Sequence, residues 1–559
     1  MTVTPMNPSL EIKLPRGKVM TVEGGRSLLD ISREVQHLYP AAIIAAVVNN
    51  KLKELTFFAF EPAQIEFLDL TSTEGARIYH RSLTFLLIYA TRLLYPDALV
   101  KVEHSLGKGL FCEISKEPAL TSADVALLEE KMRELVKLDL PFAGKKMTLT
   151  EAAEIFRREG LEDKLQLFRY LSKDMLTVYS LGEMQDSLHG YMLPSTGHLQ
   201  VFALEYHEPG LILHFPDEKN PHTLPPFVPQ RKLFEIFREA ERWGRILGFG
   251  TVSGMNDLIH KGEGPDVIRI SEALHEKKIA QIADLITERS EEICIILIAG
   301  PSSSGKTTFA QRLRTQLLVN GLRPLPISLD NYFVDREHTP LDEANAPDFE
   351  HIEAIDLALF NKHLLHLIGG EEVEIPTFNF ATGLREYNGK TIKLPKDQPL
   401  IVEGIHGLNE RLTESIPRHR KFKIYVSALT ALNVDWHTRI HTTDTRLLRR
   451  IVRDSQFRGT DALTTISRWP SVRRGEERSI FHVQEEADIM FNSALVYEFA
   501  VLKEFAETLL QKIGPREREF IDAKRLLTFL SSFIPLDALE VPSNSILREF
   551  VGESCFFKI

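Results

Sequence analysis

One stretch of the chain constrains its fold more than any other. Residues 296–310 read "ILIAGPSSSGKTTFA" and match the pattern G-x-x-x-x-G-K-[ST], in which glycines let backbone N–H groups wrap a phosphate. The apolar run "CIILIAG" predicts a buried strand, and "TTFAQRLRTQLLVNG" predicts a helix closed by Gly321. A strand that leads through such a loop into a helix predicts a parallel α/β nucleotide-binding domain.

Nearly 300 residues precede this loop, and 559 residues exceed what one hydrophobic core serves. Alternating strands and one Ser27-capped helix predict a small β-grasp unit at residues 1–72. Mixed helices and strands at 73–229 predict an α+β domain that ends in the Pro-rich "NPHTLPPFVPQ". Amphipathic helices predict a helical connector at 230–290, and strands alternating with helices predict a parallel-sheet domain at 291–559.

Two acidic residues follow predicted strands of that last domain. "LRPLPISLDNYF" places Asp330 at the carboxyl end of one strand, and "QPLIVEGIHGL" places Glu403 at the end of another. Ligand sites of α/β sheets lie at this edge. A carboxylate there can hold Mg²⁺ or accept a proton from a hydroxyl group. The base-reading motif N-K-x-D of GTPases is missing from the sequence.

An arginine-dense helix and turn, "TRLLRRIVRDSQFRG", comes later in the chain. A run of charged residues usually forms the solvent-exposed face of a helix. Beside a phosphate loop it also suits a lid that neutralises a phosphoryl group in transfer.

Composition argues against several other classes of protein. The net charge of −11 excludes a bulk basic field toward nucleic acid or anionic lipid, although a local basic groove stays open. The three cysteines have no paired spacing of the kind zinc or disulfide frameworks show. No secretory signal is visible, and the apolar stretch from Leu83 is interrupted by Arg92. We therefore expect a cytoplasmic protein without membrane contacts. His437 and His441 have helical ligand spacing but lack the Glu of H-E-x-x-H, which disfavours a metal site.

The C-terminal half resembles the uridine kinase and phosphoribulokinase family. The stretches that carry the resemblance are "GPSSSGKTT", "SLDNYF", "DFEHIEAID", "IPTFNF", "VEGIHGL" and "RLLRRIVRDSQFRG", in that order over about residues 293–500. The resemblance implies ATP and Mg²⁺ as cofactors, Asp330 as general base with Lys306 as its catalytic partner, and Thr307 and Glu403 as magnesium ligands. Arg450, Arg453 and Arg458 match the lid arginines. The implied ATP-binding residues are Gly300, Pro301, Ser302, Ser303, Ser304, Gly305, Lys306, Thr307 and Thr308.

The sequence departs from the family where the acceptor binds. Glu350 stands where uridine kinases have an aspartate that contacts the ribose hydroxyls. Phe378 and Gly383 stand where they commonly have a base-reading tyrosine and histidine, and Thr460 replaces the final lid arginine. Phosphate chemistry is therefore expected intact and pyrimidine recognition altered. Glu350, Phe378 and the three matching arginines are the expected substrate-binding residues.

The front half resembles threonyl-tRNA synthetase: residues 10–70 its TGS domain and 75–230 its second additional domain. The most specific phrase is "LPSTGHLQVFALE". At the four positions that carry the His and Cys side chains of that family's pocket, this chain has Arg81, Phe85, Leu188 and Met192. Because none of these can bind zinc or activate water, we predict no editing hydrolysis. The half is then either a retained scaffold or a ligand or RNA sensor.

These features predict an ATP- and Mg²⁺-dependent kinase for a hydroxyl of a small molecule. The resemblance implies the 5′-OH of a nucleoside, with uridine or cytidine as the family pattern. The alternative is a tRNA-binding or regulatory P-loop ATPase whose synthetase-like half is the functional module. Binding of tRNA is the less favoured partner interaction. The acceptor's identity and the oligomeric state, a homo-oligomer included, stay open at this point.

Overall fold

The chain begins with a small mixed sheet around one helix. The computed structural model describes residues 9–171, 173–343, 345–380, 382–430 and 432–557, so residues 1–8 of the predicted first segment lie outside the described residues. The elements are β1 (Ser9–Lys13), β2 (Val19–Glu23), β3 (Arg26–Ser27), α1 (Leu28–Val35), β4 (Ile43–Val48), β5 (Lys51–Glu54), β6 (Phe58–Ala59) and β7 (Ala63–Asp69). The sheet order is β2-β1-β7-β4-β5, in which only β1 and β7 pair in parallel. The expected β-grasp unit is confirmed.

Short polar residues set the boundaries of this unit. The Ser27 hydroxyl caps α1 by accepting a hydrogen bond from the Asp30 N–H at 3.1 Å. Asn49 and Asn50 have φ angles of 48° and 59° and form the turn between β4 and β5. Asparagine tolerates this left-handed region better than most residues do. The sequence therefore specifies both the helix start and the hairpin locally.

The second unit is the expected α+β domain. Its elements are α2 (Thr73–Leu94), β8 (Leu99–Leu106), β9 (Gly109–Ser115), α3 (Ser122–Lys137), β10 (Ala143–Thr148), α4 (Leu149–Glu159), α5 (Glu162–Phe168), β11 (Met175–Leu181), β12 (Met184–Asp186), β13 (Ala203–His207) and β14 (Gly210–His214). They form two antiparallel sheets, β10-β11-β12 and β13-β14-β9-β8. The apolar stretch from Leu83 lies inside α2 and packs into this domain's core. Within the described ranges, no helix is both long and apolar enough to cross a membrane.

A three-helix connector leads into the C-terminal domain. The helices are α6 (Arg231–Leu247), α7 (Val252–His260) and α8 (Gly264–Thr287). The domain that follows contains β15 (Ile295–Ala299), α9 (Lys306–Val319), β16 (Leu325–Ser328), α10 (Leu357–Ile368), β17 (Glu372–Glu374), β18 (Thr377–Asn379), β19 (Leu384–Glu386), β20 (Thr391–Lys393), β21 (Leu400–Glu403), β22 (Lys421–Ser427), β23 (Asn433–Asp435), β24 (Thr438–Arg439), α11 (Thr442–Phe457), α12 (Ala462–Ser479), β25 (Ile489–Asn492), α13 (Glu498–Leu510), α14 (Phe520–Leu530) and α15 (Arg548–Val551).

The central sheet of the C-terminal domain is fully parallel. Its order is β16-β21-β15-β22-β25, and β15 and β22 are buried along their whole length. Burial on both faces explains why "IILIA" reads as an unbroken apolar run. The predicted parallel sheet is confirmed, and its order places the phosphate loop after the middle strand.

Charged side chains join the front half to the C-terminal domain. Lys164 Nζ donates to Asp186 Oδ1 at 2.5 Å and to the Ser187 carbonyl at 2.7 Å. Its Nζ also lies 3.6 Å from Asp435 Oδ1 in β23. His437 Nδ1 lies 2.6 Å from Asp186 Oδ2. The lysine and both aspartates have at most 2% of their side chains exposed. Since an unpaired buried charge is costly, the lysine and the two carboxylates compensate one another.

We expect Lys164→Met to destabilise the chain by about 3–5 kcal/mol, because it leaves two carboxylates buried without their cation. The variant should unfold at a lower temperature and lower urea concentration in circular dichroism. Lys131→Met is the control, because Lys131 pairs with Glu134 on the surface of α3 at 3.0 Å, and both side chains are partly exposed. If Lys164→Met and Lys131→Met were equally stable, the Lys164 network would not stabilise the contact between the two halves.

Candidate active site

The phosphate loop has the backbone geometry that its glycines allow. A Cβ on Gly300 would lie 2.0 Å from the Val426 carbonyl oxygen. Gly305 has a φ of 83°, and a Cβ there would lie 2.5 Å from Ile546 Cγ2. The loop passes from β15 into α9, whose first-turn N–H groups have no partner within the helix. This is the geometry that binds phosphate.

A buried ion pair holds the loop from outside. The Ser302 N–H donates to Glu476 Oε1 at 3.0 Å, and the Ser302 carbonyl accepts from Arg446 Nη1 at 3.1 Å. Arg446 Nη2 in turn donates to Glu476 Oε2 at 2.8 Å. Both side chains are almost fully buried. The pair therefore fixes the Ser302 peptide from both sides. Neither residue was singled out in the sequence.

Arg449, a second buried arginine of α11, supports the loop at Ser304. Arg449 Nε donates to Glu498 Oε2 at 2.6 Å, and its Nη2 donates to the Ser493 carbonyl at 2.8 Å. The Ser493 hydroxyl donates to the Ser304 carbonyl at 2.5 Å. The sequence signal for this role is the spacing of arginines on one helix face, which by itself predicts a solvated face or a lid.

The loop presents several polar groups toward the site that a phosphate would occupy. Lys306 Nζ donates to the Pro301 carbonyl at 3.0 Å. The hydroxyls of Ser303 and Ser304 are buried and, among the described residues, have no hydrogen-bond acceptor or donor. Buried polar atoms normally find a partner. A lysine with two unpaired hydroxyls at the start of a helix fits the phosphates of a nucleotide.

The two predicted acids lie side by side. Glu403 ends β21, directly opposite Ser328 of β16, and its Oε1 accepts from the Ser328 hydroxyl at 2.7 Å. Asp330 follows β16 by two residues. Burial and the charge of Asp330 raise the pKa of Glu403 to about 7, against the opposing charge of Lys306. The structure therefore brings Asp330, Glu403 and the loop lysine to one edge of the sheet.

This arrangement fits a magnesium ion held mainly by nucleotide phosphates. Among the described residues, no group of three or more His, Cys, Asp or Glu side chains forms a metal site. Magnesium in kinases needs only one or two protein ligands beside phosphate oxygens and waters. The Thr307 hydroxyl at the start of α9 and the Glu403 carboxylate are suitable groups.

Glu350 lies near enough to Lys306 and Asp330 to be affected by their charges. Burial and the charge of Glu476 raise its pKa to about 7, while Arg450 and Lys306 act in the other direction. Its Oε2 atom is buried and has no hydrogen-bond partner among the described residues. A carboxyl oxygen without a protein partner is suited to a ligand hydroxyl.

The raised pKa of Glu350 gives a pH-dependent stability. The folded chain keeps this proton up to about pH 7, whereas the unfolded chain releases it near pH 4.5. Stability is therefore lost as the pH rises through this window, by about 3 kcal/mol in total. We expect Glu350→Gln to gain stability over the wild type between pH 4 and pH 8 in urea unfolding. A pH-independent difference between Glu350→Gln and the wild type would contradict the assignment.

The predicted base-binding position lies in an aromatic wall. Phe378 in β18 is buried, with its ring centroid 5.4 Å from that of Phe333 and 5.1 Å from that of Phe380. Phe380 is the exposed member. Gly383 has a φ of 76°, and a Cβ there would lie 2.7 Å from Arg336 Nε. The rings meet edge to face, and Phe380 presents an exposed apolar ring where a hydrogen-bonding residue for a base would be expected.

The three predicted lid arginines come together around Asp454. Arg453 Nη2 lies 2.7 Å from Asp454 Oδ1, Arg450 Nε lies 3.3 Å from Oδ2, and Arg458 Nε lies 3.8 Å from Oδ1. Arg450 Nη1 also donates to the Ser302 hydroxyl at 2.8 Å. Asp454 thus gathers these cations at the loop, a role the sequence analysis missed. Thr460 ends this segment, with its N–H donating to the Asp454 carbonyl.

The synthetase-like positions of the front half are filled by the protein itself. Phe85, Leu188 and Met192 are buried in the core of the α+β domain. Arg81 Nη1 donates to the Tyr191 carbonyl at 2.9 Å, and its guanidinium lies where a Cβ on Gly190 would be. None of these four side chains ligates zinc or activates water. The absence of editing hydrolysis stays a prediction.

The helical spacing of two histidines does not correspond to a helix in the structure. His437 and His441 lie in and after the β23–β24 hairpin, not on a helix. His437 faces Asp186, whereas His441 precedes α11 and its Nδ1 accepts from Arg439 Nη2 at 3.0 Å. A hairpin sends residues four apart in different directions, so helical ligand spacing does not apply.

Comparison with known proteins confirms both resemblances. A model described as Phosphoribulokinase / Uridine kinase family matches residues 295–497. Threonine–tRNA ligase of Geobacter sp. (strain M21) is 28% identical over 195 residues, which are 35% of this chain and 31% of the ligase. That of Desulforamulus reducens is 28% identical over 196 residues, with the same shares. The match lies in the N-terminal half. The chain thus spans about a third of the length of these relatives.

A solved structure of a possible uridine kinase from Bacillus stearothermophilus is 16% identical to this chain. The alignment covers 39% of this chain and 98% of that one, with a TM-score of 0.28. A TM-score this low adds nothing to the fold seen in the sheet order.

Proposed function

We propose that the protein transfers the γ-phosphoryl group of ATP to a hydroxyl of a small molecule, the 5′-OH of a nucleoside. The observation that carries this proposal is the convergence of Lys306, Asp330 and Glu403 at one edge of the parallel sheet, where the neighbouring strands β15, β21 and β16 end. Glu350 lies within the same electrostatic environment. The family matched by residues 295–497 supports phosphoryl transfer as the reaction class.

Each of these residues has a distinct task in the proposed reaction. The loop N–H groups and Lys306 hold the phosphates. Asp330 accepts the proton of the acceptor hydroxyl as its oxygen bonds to the γ-phosphorus and the bond to the bridging oxygen breaks. Arg450, Arg453 and Arg458 stabilise the charge on the transferring group. Magnesium, held by Thr307 and Glu403, would neutralise phosphate charge when bound.

Two features favour a nucleoside as the acceptor. Glu350 has an oxygen free for ribose hydroxyls, and Phe378 with Phe380 offers a surface on which a base can stack. Since this wall replaces the hydrogen-bonding side chains of uridine kinases, base selection should be loose. We therefore expect several nucleosides to serve as acceptors.

The competing function is a regulatory or tRNA-binding ATPase. The match of the N-terminal half to threonine–tRNA ligases favours it. The deciding experiment measures ADP release with nucleosides, ribose phosphates and tRNA as separate additions. Release that depends on a nucleoside supports the kinase, and release stimulated only by tRNA would replace it with the alternative.

A further inference from the structure

The C-terminal segment packs against the start of the phosphate-loop helix. Ile546, Leu547 and Phe550 are fully buried, and Ile546 lies against Gly305. The Arg449 guanidinium lies 5.0 Å from the centre of the Phe550 ring. Arg548 Nη2 donates to the carbonyls of Ala538 at 2.8 Å and Val541 at 2.7 Å. The backbone of this segment is therefore fixed beside the loop.

Glu549 projects from this segment onto Thr308. Its Oε2 accepts from the Thr308 N–H at 3.1 Å and from the Thr308 hydroxyl at 2.8 Å. Thr308 is the third residue of α9, so its N–H has no acceptor within the helix itself. The charge of Glu549 also acts on the pKa of Glu403. The carboxylate thus faces the same site as the predicted catalytic residues.

The Glu549 carboxylate already occupies hydrogen-bond donors that the phosphates of the proposed nucleotide would use. In a phosphate loop the N–H groups at the helix start cradle the α- and β-phosphates. A carboxylate and a phosphate compete for the same N–H and hydroxyl donors, since each carries negative oxygens. Two negative groups close together in a recessed site also repel each other. Glu549 and the nucleotide cannot both use Thr308.

We propose that Glu549 is an intramolecular competitor of the donor phosphates and thereby sets the affinity for the nucleotide. This inference rests on the proposed function and adds a residue to it. Because neighbouring residues of the segment are buried, only the partly exposed Glu549 side chain needs to move when the nucleotide binds. Displacing its charge-assisted hydrogen bonds weakens nucleotide binding by about tenfold.

The alternative role for Glu549 is a helix cap or a nucleotide ligand, and the sign of the effect separates these roles. We expect Glu549→Ala to bind MgADP and a non-hydrolysable ATP analogue about tenfold more tightly than the wild type. Glu549→Gln, which keeps an acceptor oxygen but no charge, should lie between them. Isothermal titration calorimetry of the full chain measures all three without any acceptor.

Glu553→Ala is the matched control. Glu553 lies four residues further on, pairs with Arg548 at 3.0 Å and has 72% of its side chain exposed. It should bind MgADP like the wild type. Unchanged or weaker binding by a folded Glu549→Ala variant, with its thermal unfolding recorded in parallel, would overturn the proposal. If Glu549→Ala binds MgADP more tightly but no hydroxyl acceptor is phosphorylated, the proposed kinase reaction fails and the role of Glu549 stands.

Discussion

We expect Asp330→Asn to abolish most phosphoryl transfer to the acceptor and to leave nucleotide binding in place. The amide keeps the size of the side chain but cannot accept a proton from a hydroxyl group. Loss of a general base typically lowers kcat by 10²–10⁴-fold. Because Asp330 also raises the pKa of Glu403, the substitution favours the ionised form of Glu403, the form that binds a metal. We therefore expect kcat to fall sharply while the Kd for MgADP stays within a few-fold.

Coupled ADP release with a nucleoside measures the first quantity and calorimetry the second. Glu337→Gln serves as control, since Glu337 lies seven residues after Asp330, has 78% of its side chain exposed and lies 3.9 Å from His338 Nδ1. A kcat close to that of the wild type in Asp330→Asn would remove this residue from the chemistry.

The second large effect is expected at Glu476. Glu476→Ala leaves the Arg446 guanidinium buried with no carboxylate, which typically costs about 3–5 kcal/mol. It also removes the acceptor of the Ser302 N–H, so the phosphate loop loses one of its fixed points. We expect a lower free energy of unfolding and weaker binding of MgADP in the same variant.

Glu477→Ala separates these effects from a general loss of helix charge. Glu477 is the next residue of α12, is 37% exposed and reaches Arg473 only at 3.7 Å. Urea unfolding and calorimetry should show it close to the wild type. If both substitutions have equal, small effects, the buried pair does not support the loop.

The parts that could be predicted from sequence are those fixed by local chemistry. The phosphate loop is one contiguous stretch in which an apolar strand is followed by the glycines and then by a helix. The sequence pattern therefore predicts the local geometry of the loop. Asp330 and Glu403 could be placed because parallel strands end at one edge of a sheet. The Ser27 cap and the Asn49–Asn50 turn follow the same logic of near neighbours.

The parts that were missed depend on residues far apart in the chain. Glu476 contacts Ser302 across 174 positions, and Glu549 contacts Thr308 across 241. No spacing rule connects such partners, because their contact depends on how α12 and the C-terminal segment pack. Arg446 was read as part of a charge run, although burial makes it a partner of Glu476. The Lys164 network between the halves was invisible for the same reason.

The front half shows the limit of resemblance. Its fold follows the expected α+β pattern, but Arg81 and Met192 occupy positions where the resembling family has functional side chains. Fold alone therefore does not carry the synthetase's chemistry into this chain.

The most direct test follows the γ-phosphoryl group itself. The full chain is incubated with Mg²⁺, ATP labelled in the γ-phosphate and a nucleoside, and the label is separated into nucleoside monophosphate and inorganic phosphate. We predict that most of the label appears in the 5′-monophosphate and that this product disappears in Asp330→Asn. Label recovered only as inorganic phosphate, whether or not a nucleoside or another hydroxyl compound is present, would contradict the proposed kinase.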